Sequence, residues 1–407
     1  MHQQDWSRRK FIFKLTGAGA VIMLNPLMSW AVNEDDRVAK IAAKTMGIDT
    51  HNHIDVPLNA AELPGPAVDL FAEMKKSGLS AICMTFAVDY QKLTKPGEAY
   101  DRFLNGLNSM DEVLKSNNMK RALNLADIKA AHQTKRPIVI QSVEGGHFLE
   151  GKIERLGIAY NRGLRHLGLL HDSDASVPLG DVYTNPATWG GLTAFGKDVI
   201  KESNKLGILI DLTHCSNDAI DAALKISTKP MMISHTGLDT QLGNNAFMAK
   251  MMRPRLISKA QAKIVADAGG VIGVWTHLAD SPMAYAQNIR AMVDTIGVDH
   301  VCIGTDTKMT ASYRPPGSLN HQQEQVDPNN RKNEPPKDAD GNKINLDANK
   351  KNIRIGERTN EAWQDQKAGF YYTVIDSMLQ IGFSEEEIGK IGGGNFLRIF
   401  GEAVSGH

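Results

Sequence analysis

The stretch Gly47-Ile48-Asp49-Thr50-His51-Asn52-His53 is a short apolar run that ends in two imidazoles two residues apart. In an extended strand alternate side chains share a face, so His51 and His53 project to the same side and can grip one ion. The same arrangement recurs along the chain. Apolar runs lead into Glu144 (from Ile138), His171 (from Leu167), His214 (from Ile208), His235 (from Met231) and Asp306 (from Val301). A parallel barrel or sheet gathers the carboxyl ends of its strands on one face, where residues distant in sequence converge. Imidazoles and carboxylates brought together in this way have the geometry of a hydrolytic metal centre.

Working outward, strand-like runs alternate with longer segments of helical period, the pattern of repeated βα units. The spacing predicts strands at Ile48 to Thr50, Ser80 to Phe86, Ile138 to Val143, Arg165 to Leu170, Ile208 to Thr213, Met231 to Ser234, Gly270 to Trp275 and His300 to Thr305. Helices are expected at Ala67 to Ser77, Ala99 to Asn117, Ala187 to Lys205, Asn217 to Ile226, Ser258 to Ala268, Met283 to Ile296, Gln364 to Ile381 and Ser384 to Lys390. Asn217 and Ser258 stand where N-caps belong, and Gly207, Gly269 and Gly297 where helices stop. Eight strands with intervening helices favour an α/β fold, a single (β/α)8 TIM-type barrel over 32–407, rather than a doubly wound sheet.

Residues 313–363 break the pattern. They contain Pro315-Pro316, Pro335-Pro336 and many Asn, Lys and Asp residues. A long polar insertion after the last strand emerges on the catalytic face, as either an active-site lid or a disordered segment.

The 407 residues are 42% hydrophobic, enough for a large core. With 46 basic and 46 acidic residues the formal net charge is +0. No global field draws the chain to nucleic acid or an anionic membrane, and a small neutral or zwitterionic substrate fits better. Cys83, Cys215 and Cys302 make no close-spaced zinc pattern and read as buried free thiols, with Cys215, beside His214, the one of interest. At the N-terminus Ser7-Arg8-Arg9-Lys10-Phe11 precedes an apolar stretch from Leu15 to Met28, with Ser29-Trp30-Ala31 as a cleavage site. Residues 1–31 therefore read as a twin-arginine export signal, which implies the twin-arginine machinery as a partner and a periplasmic or otherwise exported protein.

The strand-end residues suggest roles. Glu144, buried before two glycines that let the backbone turn, must be paired, protonated or metal-bound, and its two oxygens can bridge two ions. With His214 and His235 it could form a second site beside the one at His51 and His53. Two such metals would hold a bridging hydroxide and polarise a carbonyl. Asp306 is the natural general base and acid, with metal ligation its other role. His171 either steadies an oxyanion or packs. His277 carries a weaker signal, and His147 orients the turn after Glu144.

In order and spacing the motifs resemble the membrane (renal) dipeptidase family of zinc peptidases. They are Asp49-Thr50-His51-Asn52-His53, Glu144-Gly145-Gly146-His147, Leu167 to His171, Asp211-Leu212-Thr213-His214, Ile233-Ser234-His235, Arg253-Pro254-Arg255, Ile303-Gly304-Thr305-Asp306 and Gly393-Gly394-Asn395-Phe396. The resemblance implies a barrel with two zinc ions bridged by Glu144, one held from positions 51 and 53, the other by His214 and His235. It also implies that His171 contacts the scissile carbonyl, that Arg255 binds the substrate carboxylate and that Asp306 handles protons. Arg255 suits that task because its planar fork pairs bidentately with carboxylate. One position departs from the pattern: His53 stands where characterised dipeptidases carry Asp. Neutral imidazole in place of carboxylate leaves the first site one unit more positive, which should alter metal preference and water acidity.

The expected function is an exported dinuclear zinc hydrolase that cleaves dipeptides, with a homodimer left open. A second reading keeps the metals and changes the substrate to a non-peptide amide, lactam or ester. A third is a periplasmic binding protein that has lost turnover.

Overall fold

The computed structural model describes residues 36–90, 92–313, 358–364, 366 and 368–405. The export signal of 1–31 and nearly all of the expected insertion lie outside the described residues. Contact density separates residues 1–40, of which 36–40 are described and helical, from a unit spanning 41–407.

All eight expected strands form. They are β1 (Ile48–His53), β2 (Ala81–Thr85), β3 (Ile138–Val143), β4 (Leu164–Gly168), β5 (Leu209–Asp211), β6 (Met232–Thr236), β7 (Val271–Val274) and β8 (Val301–Ile303). Every pairing is parallel, and β1 bonds to both β2 and β8, which closes the barrel. Every residue of these strands is buried, because inner faces meet the barrel interior and outer faces meet helices. A two-residue β9 (Thr307–Lys308) lies outside the eight, paired to the end of β1.

The surrounding helices are α1 (Leu70–Ser77), α2 (Glu98–Ser116), α3 (Leu125–Gln133), α4 (Arg155–Asn161), α5 (Ala194–Leu206), α6 (Asn217–Ile226), α7 (Ala246–Met252), α8 (Lys259–Asp267), α9 (Pro282–Ile296), α10 (Phe370–Gln380), α11 (Glu385–Gly389) and α12 (Asn395–Val404). In α2, Phe103, Leu107, Met110 and Leu114 recur at helical spacing and form its buried stripe. Thr193, Ser216, Ser258 and Ser281 each accept a hydrogen bond from the backbone N–H three residues on, satisfying a donor the helix cannot.

Several boundaries differ from expectation, the helix expected from Gln364 starting only at Phe370 and that from Ala67 at Leu70. The helix expected from Ala187 starts only at Ala194, because Asp181 accepts backbone N–H bonds from Thr188, Trp189 and Gly191 and pins 188–191 as a loop. The cap of α6 is Ser216, not Asn217. The break in pattern ends before Trp363: Thr359 accepts from Asn52 at 2.8 Å, and buried Trp363 donates to the Ala279 carbonyl at 3.0 Å.

The amino ends of the strands are sealed by α12. Its Phe396, Leu397, Ile399 and Phe400 pack with Ile48, Ala81, Ile138, Leu209, Met232 and Val271, which open six of the strands. A π-helical turn, Lys390–Gly394, delivers the chain to this place. Gly393 passes so close to β1 that a Cβ there would lie 2.0 Å from the Met46 carbonyl oxygen. Asn395 then donates to the carbonyls of Val298 (2.7 Å) and Val301 (2.8 Å), tying α12 to the start of β8.

Candidate metal centre

At the opposite mouth the carboxyl ends of β1, β3, β4, β5, β6 and β8 bring together His51, His53, Glu144, His171, His214, His235 and Asp306. The Glu144 carboxylate is the hub. The Nε2 atoms of His214 (2.9 Å), His171 (3.3 Å), His51 (3.5 Å), His235 (3.7 Å) and His53 (3.8 Å) all face it. His51 Nε2 and His53 Nε2 are 3.2 Å apart, as alternation on a strand requires. Asp306 Oδ1 lies 3.0 Å from His53 Nε2 and 3.8 Å from His51 Nε2.

Local backbone geometry aims these groups. Pairing register slips between Asp49 and Asn52 in β1 and between Ile233 and Thr236 in β6, the intervals that hold His51 and His235. Such irregularities redirect side chains beside sites. His214 (φ 67°) and Asp306 (φ 54°) adopt the left-handed conformation that non-glycine residues avoid. Gly145, at φ 85°, supplies the turn that follows Glu144.

Each ring is anchored through Nδ1 and presents Nε2 inward. His171 Nδ1 donates to Asp89 (2.6 Å), His214 Nδ1 to Asp172 (3.0 Å), and His53 Nδ1 bonds the Tyr90 hydroxyl (2.7 Å). His51 and His235 meet the Ser234 hydroxyl at 3.3 and 3.0 Å. Hydrogen bonding of the outward nitrogen fixes which nitrogen is left to bind a metal.

The electrostatics follow from this crowding. Burial would raise Glu144, but the His171 and His51 imidazoles and the His214 bond outweigh it and hold the carboxyl well below its usual range. Burial of Asp306 is likewise overcome, by His235 and His277. Burial opposes charge on His214, yet its bonds to Asp172 and Glu144 push it up to about 10. Burial pushes His51 well below its ordinary value and lowers His235. His53 and His171 are raised, their carboxylate partners outweighing burial.

The donor set suits a divalent transition metal: imidazole nitrogens and carboxylate oxygens only, on close-set rigid strands. His51, His53 and Asp306 form one cluster whose ligand atoms lie within 4.8 Å of one another, and Glu144, His214 and His235 form another. A third, His51, Asp211 and His235, has another explanation. The Asp211 oxygens already accept from the Thr213 and Ser234 backbone N–H groups and from both hydroxyls, at 2.6 to 3.0 Å. Asp211 is a strand tie, as Asp49 is where it accepts from Thr305.

A cavity of about 540 Å³ opens above the cluster, in the size range of small-molecule sites. Its walls include His53, Tyr90, His171, Arg255, His277 and Asp306. Arg255 Nη2 donates to Asp172 Oδ2 at 2.6 Å, and the Thr236 hydroxyl donates to the Arg255 carbonyl at 2.8 Å. His277 is more closely engaged than its sequence signal suggested, with Nε2 2.5 Å from Asp306 Oδ2. His147, expected to orient the turn after Glu144, instead reaches the loop after His171, with Nε2 2.8 Å from the Ser173 carbonyl. Burial pushes the Cys215 thiol far up, so it is protonated, and all three cysteines are free and buried.

Asp89, Tyr90, Asp172 and Tyr183 escaped the sequence reading. Each lies in a loop, and although Asp89 follows the apolar Phe86-Ala87-Val88, it stands beyond the expected end of its strand. Position beyond the carboxyl end of β2 marks the first two, and adjacency to His171 the third.

The chain matches the family model described as membrane dipeptidase (peptidase family M19) over residues 35–323. A Klebsiella pneumoniae relative described only as an uncharacterized protein in the pqqA 5' region is 26% identical over 227 residues, 52% of this chain and 80% of that one. A Pseudomonas aeruginosa amidohydrolase has a similar structure, with a TM-score of 0.66, 20% identity, and coverage of 90% of this chain and 98% of its own. A Rhodobacter sphaeroides metallopeptidase, crystallised with a phosphinate mimic of the dipeptide L-Ala-D-Ala, gives 0.58 at 15% identity, covering 88% and 99%. By the extent of the family match and the agreement of its fold, the chain belongs to the membrane dipeptidase family, peptidase family M19, a family of metal-dependent dipeptidases.

Proposed function

We propose that this metal-dependent dipeptidase works with two zinc ions, one held by His51 and His53, the other by His214 and His235, with Glu144 shared between them. The observation that carries the reading is the inward convergence of five Nε2 atoms on one carboxylate, each ring anchored from behind. When bound, the metals polarise the amide carbonyl and acidify water.

The chain's own groups do the rest. Arg255, steadied by Asp172, binds the substrate carboxylate through its remaining donors. His171, its Nδ1 fixed on Asp89, points Nε2 into the cavity to donate to the carbonyl oxygen as charge builds there. Asp306, braced by His277, takes a proton from the attacking water and returns it to the leaving amine. The Rhodobacter structure's dipeptide mimic supports a dipeptide as substrate. His53 favours a second reading with the same metals, hydrolysis of a non-peptide amide, lactam or ester, because it alters the charge of the first site.

Metal analysis of the purified chain, coupled to a panel of L,L- and L,D-dipeptides, N-acyl amino acids and lactams, tests both. Two metals per chain and chelator-sensitive dipeptide hydrolysis are expected. Less than one metal and no chelator-sensitive turnover would overturn the proposal, and turnover confined to the other amides would select the second reading.

Export through the twin-arginine route is part of the same proposal, resting on Arg8-Arg9 and the apolar stretch after them. Among the described residues no helix is long and apolar enough to cross a membrane. Replacing both arginines by lysine should leave the protein in the cytoplasm of a bacterial host, measured by fractionation. Unchanged export would remove that part.

A further inference from the structure

The two proposed metal clusters have no ligand in common except Glu144, yet one hydroxyl lies behind both. Ser234 Oγ is 3.3 Å from Nδ1 of His51, in the first cluster, and 3.0 Å from Nδ1 of His235, in the second. The same oxygen lies 2.6 Å from Asp211 Oδ2. A serine hydroxyl has one proton to give and two lone pairs to receive with. Asp211 determines how they are used. Its Oδ1 already receives the Thr213 N–H, the Thr213 hydroxyl and the Ser234 N–H, and Oδ2 of the same carboxylate can only accept, so the Ser234 proton points to it. The Thr213 hydroxyl, 3.3 Å away, gives its own proton to Asp211 Oδ1 at 2.6 Å, so the Ser234 lone pairs are left to the imidazoles, which satisfy them through Nδ1–H.

We infer that Ser234, oriented by Asp211, is a shared positioning residue that fixes both His51 and His235 as Nδ1–H tautomers, and so presents one Nε2 lone pair to each of the two metal sites. The inference rests on the two-metal reading above. Everything around the hydroxyl is arranged to keep it still. Ser234 is fully buried, its N–H is held by Asp211 (2.9 Å), and its carbonyl accepts from the Thr50 hydroxyl (2.8 Å) across the barrel. Gly273 and Gly304 have no side chain beside it: a Cβ at either would come within 2.0 Å of the Ser234 carbonyl oxygen. The two rings lie 4.0 Å apart between centroids, so a single oxygen can serve both.

A ligand held by its own private partner would weaken alone when that partner is removed. A shared partner makes the two sites fail together. Removing a hydrogen-bond partner of a ligating histidine typically costs about ten- to a hundredfold in metal affinity. Ser234→Ala, in the full-length chain, should therefore lose about that factor at both sites in zinc titrations against a competing chelator. Tyr90→Phe, which removes a partner of His53 only, should weaken the first site alone. Equal affinities in wild type and Ser234→Ala, or a loss confined to one site, would overturn the inference. A wild-type chain that binds no metal would instead overturn the reading beneath it. If Ser234→Ala does not fold, 15N-histidine spectra of the wild-type chain still decide the point. His51 and His235, assigned through single His→Gln variants, should both carry the proton on Nδ1, and a ring found protonated on Nε2 alone would refute it.

Discussion

Asp306 is gripped from two sides, by His53 at 3.0 Å and His277 at 2.5 Å, and it lies within one of the clusters that could hold a metal. The proposed proton-transfer role is therefore separable from a ligand role by substitution. Asp306→Asn keeps the shape and removes the basic oxygen. It should lower kcat about a hundredfold or more while the dialysed protein keeps its metal, and loss of metal would move Asp306 into the ligand set. Arg255→Lys removes the planar fork that Asp172 orients, so KM should rise about tenfold with a smaller change in kcat. His53→Asp restores the carboxylate expected at that position. It also sets two carboxylates side by side, since the ring nitrogen it replaces is 3.0 Å from Asp306. The metal-free variant should melt below the metal-free wild type, and added metal should close that gap. The candidate ligand residues stood out in the sequence because they terminate buried strands, where a polar group must have a reason. Asp89, Asp172 and Tyr183 were not, because a polar residue in a loop needs none, and only the fold shows that each touches a ring nitrogen.

The same contrast holds among the elements. Buried parallel strands read as unbroken apolar runs, so β1 to β8 were visible. Helices α3, α4 and α7 were not expected; each spans nine residues or fewer and buries three residues or fewer, but α1 and α11 are as short and were expected, so length alone does not decide. α12 was hidden by the glycines before it, which suggest a turn and instead form a π-helical approach. Those glycines are there for close packing. Gly393→Ala would drive a methyl into the Met46 carbonyl and should destabilise the chain by about 1–3 kcal/mol. Asn395→Ala strands two carbonyls near the start of β8, at about 1–3 kcal/mol for each buried group left unpaired. Denaturant unfolding measures both, and wild-type midpoints would show that α12 does not hold the floor of the barrel.

For the whole molecule, protons and metals compete for one cluster. Without metal, His214 titrates at about 10 against an ordinary 6.5. Its contribution to stability is then complete below 6.5 and lost as pH climbs towards 10. Glu144 and Asp306 are depressed, so theirs is present above the ordinary carboxylate range and lost only in strong acid. Metal binding takes the nitrogen lone pairs and expels those protons. The difference in Tm between metal-loaded and metal-free chain should therefore widen between pH 6.5 and 9, and a constant difference would count against the ligand set. The seal that α12 makes has a further consequence for traffic. With one end of the barrel filled by Phe396 and Phe400, substrate arrives and products depart through the same doorway. If Arg255 binds the carboxylate as proposed, a product amino acid still held there stands in the path of the next dipeptide. Turnover becomes a matter of queueing, and free amino acids should slow it as competitive inhibitors whenever departure lags arrival.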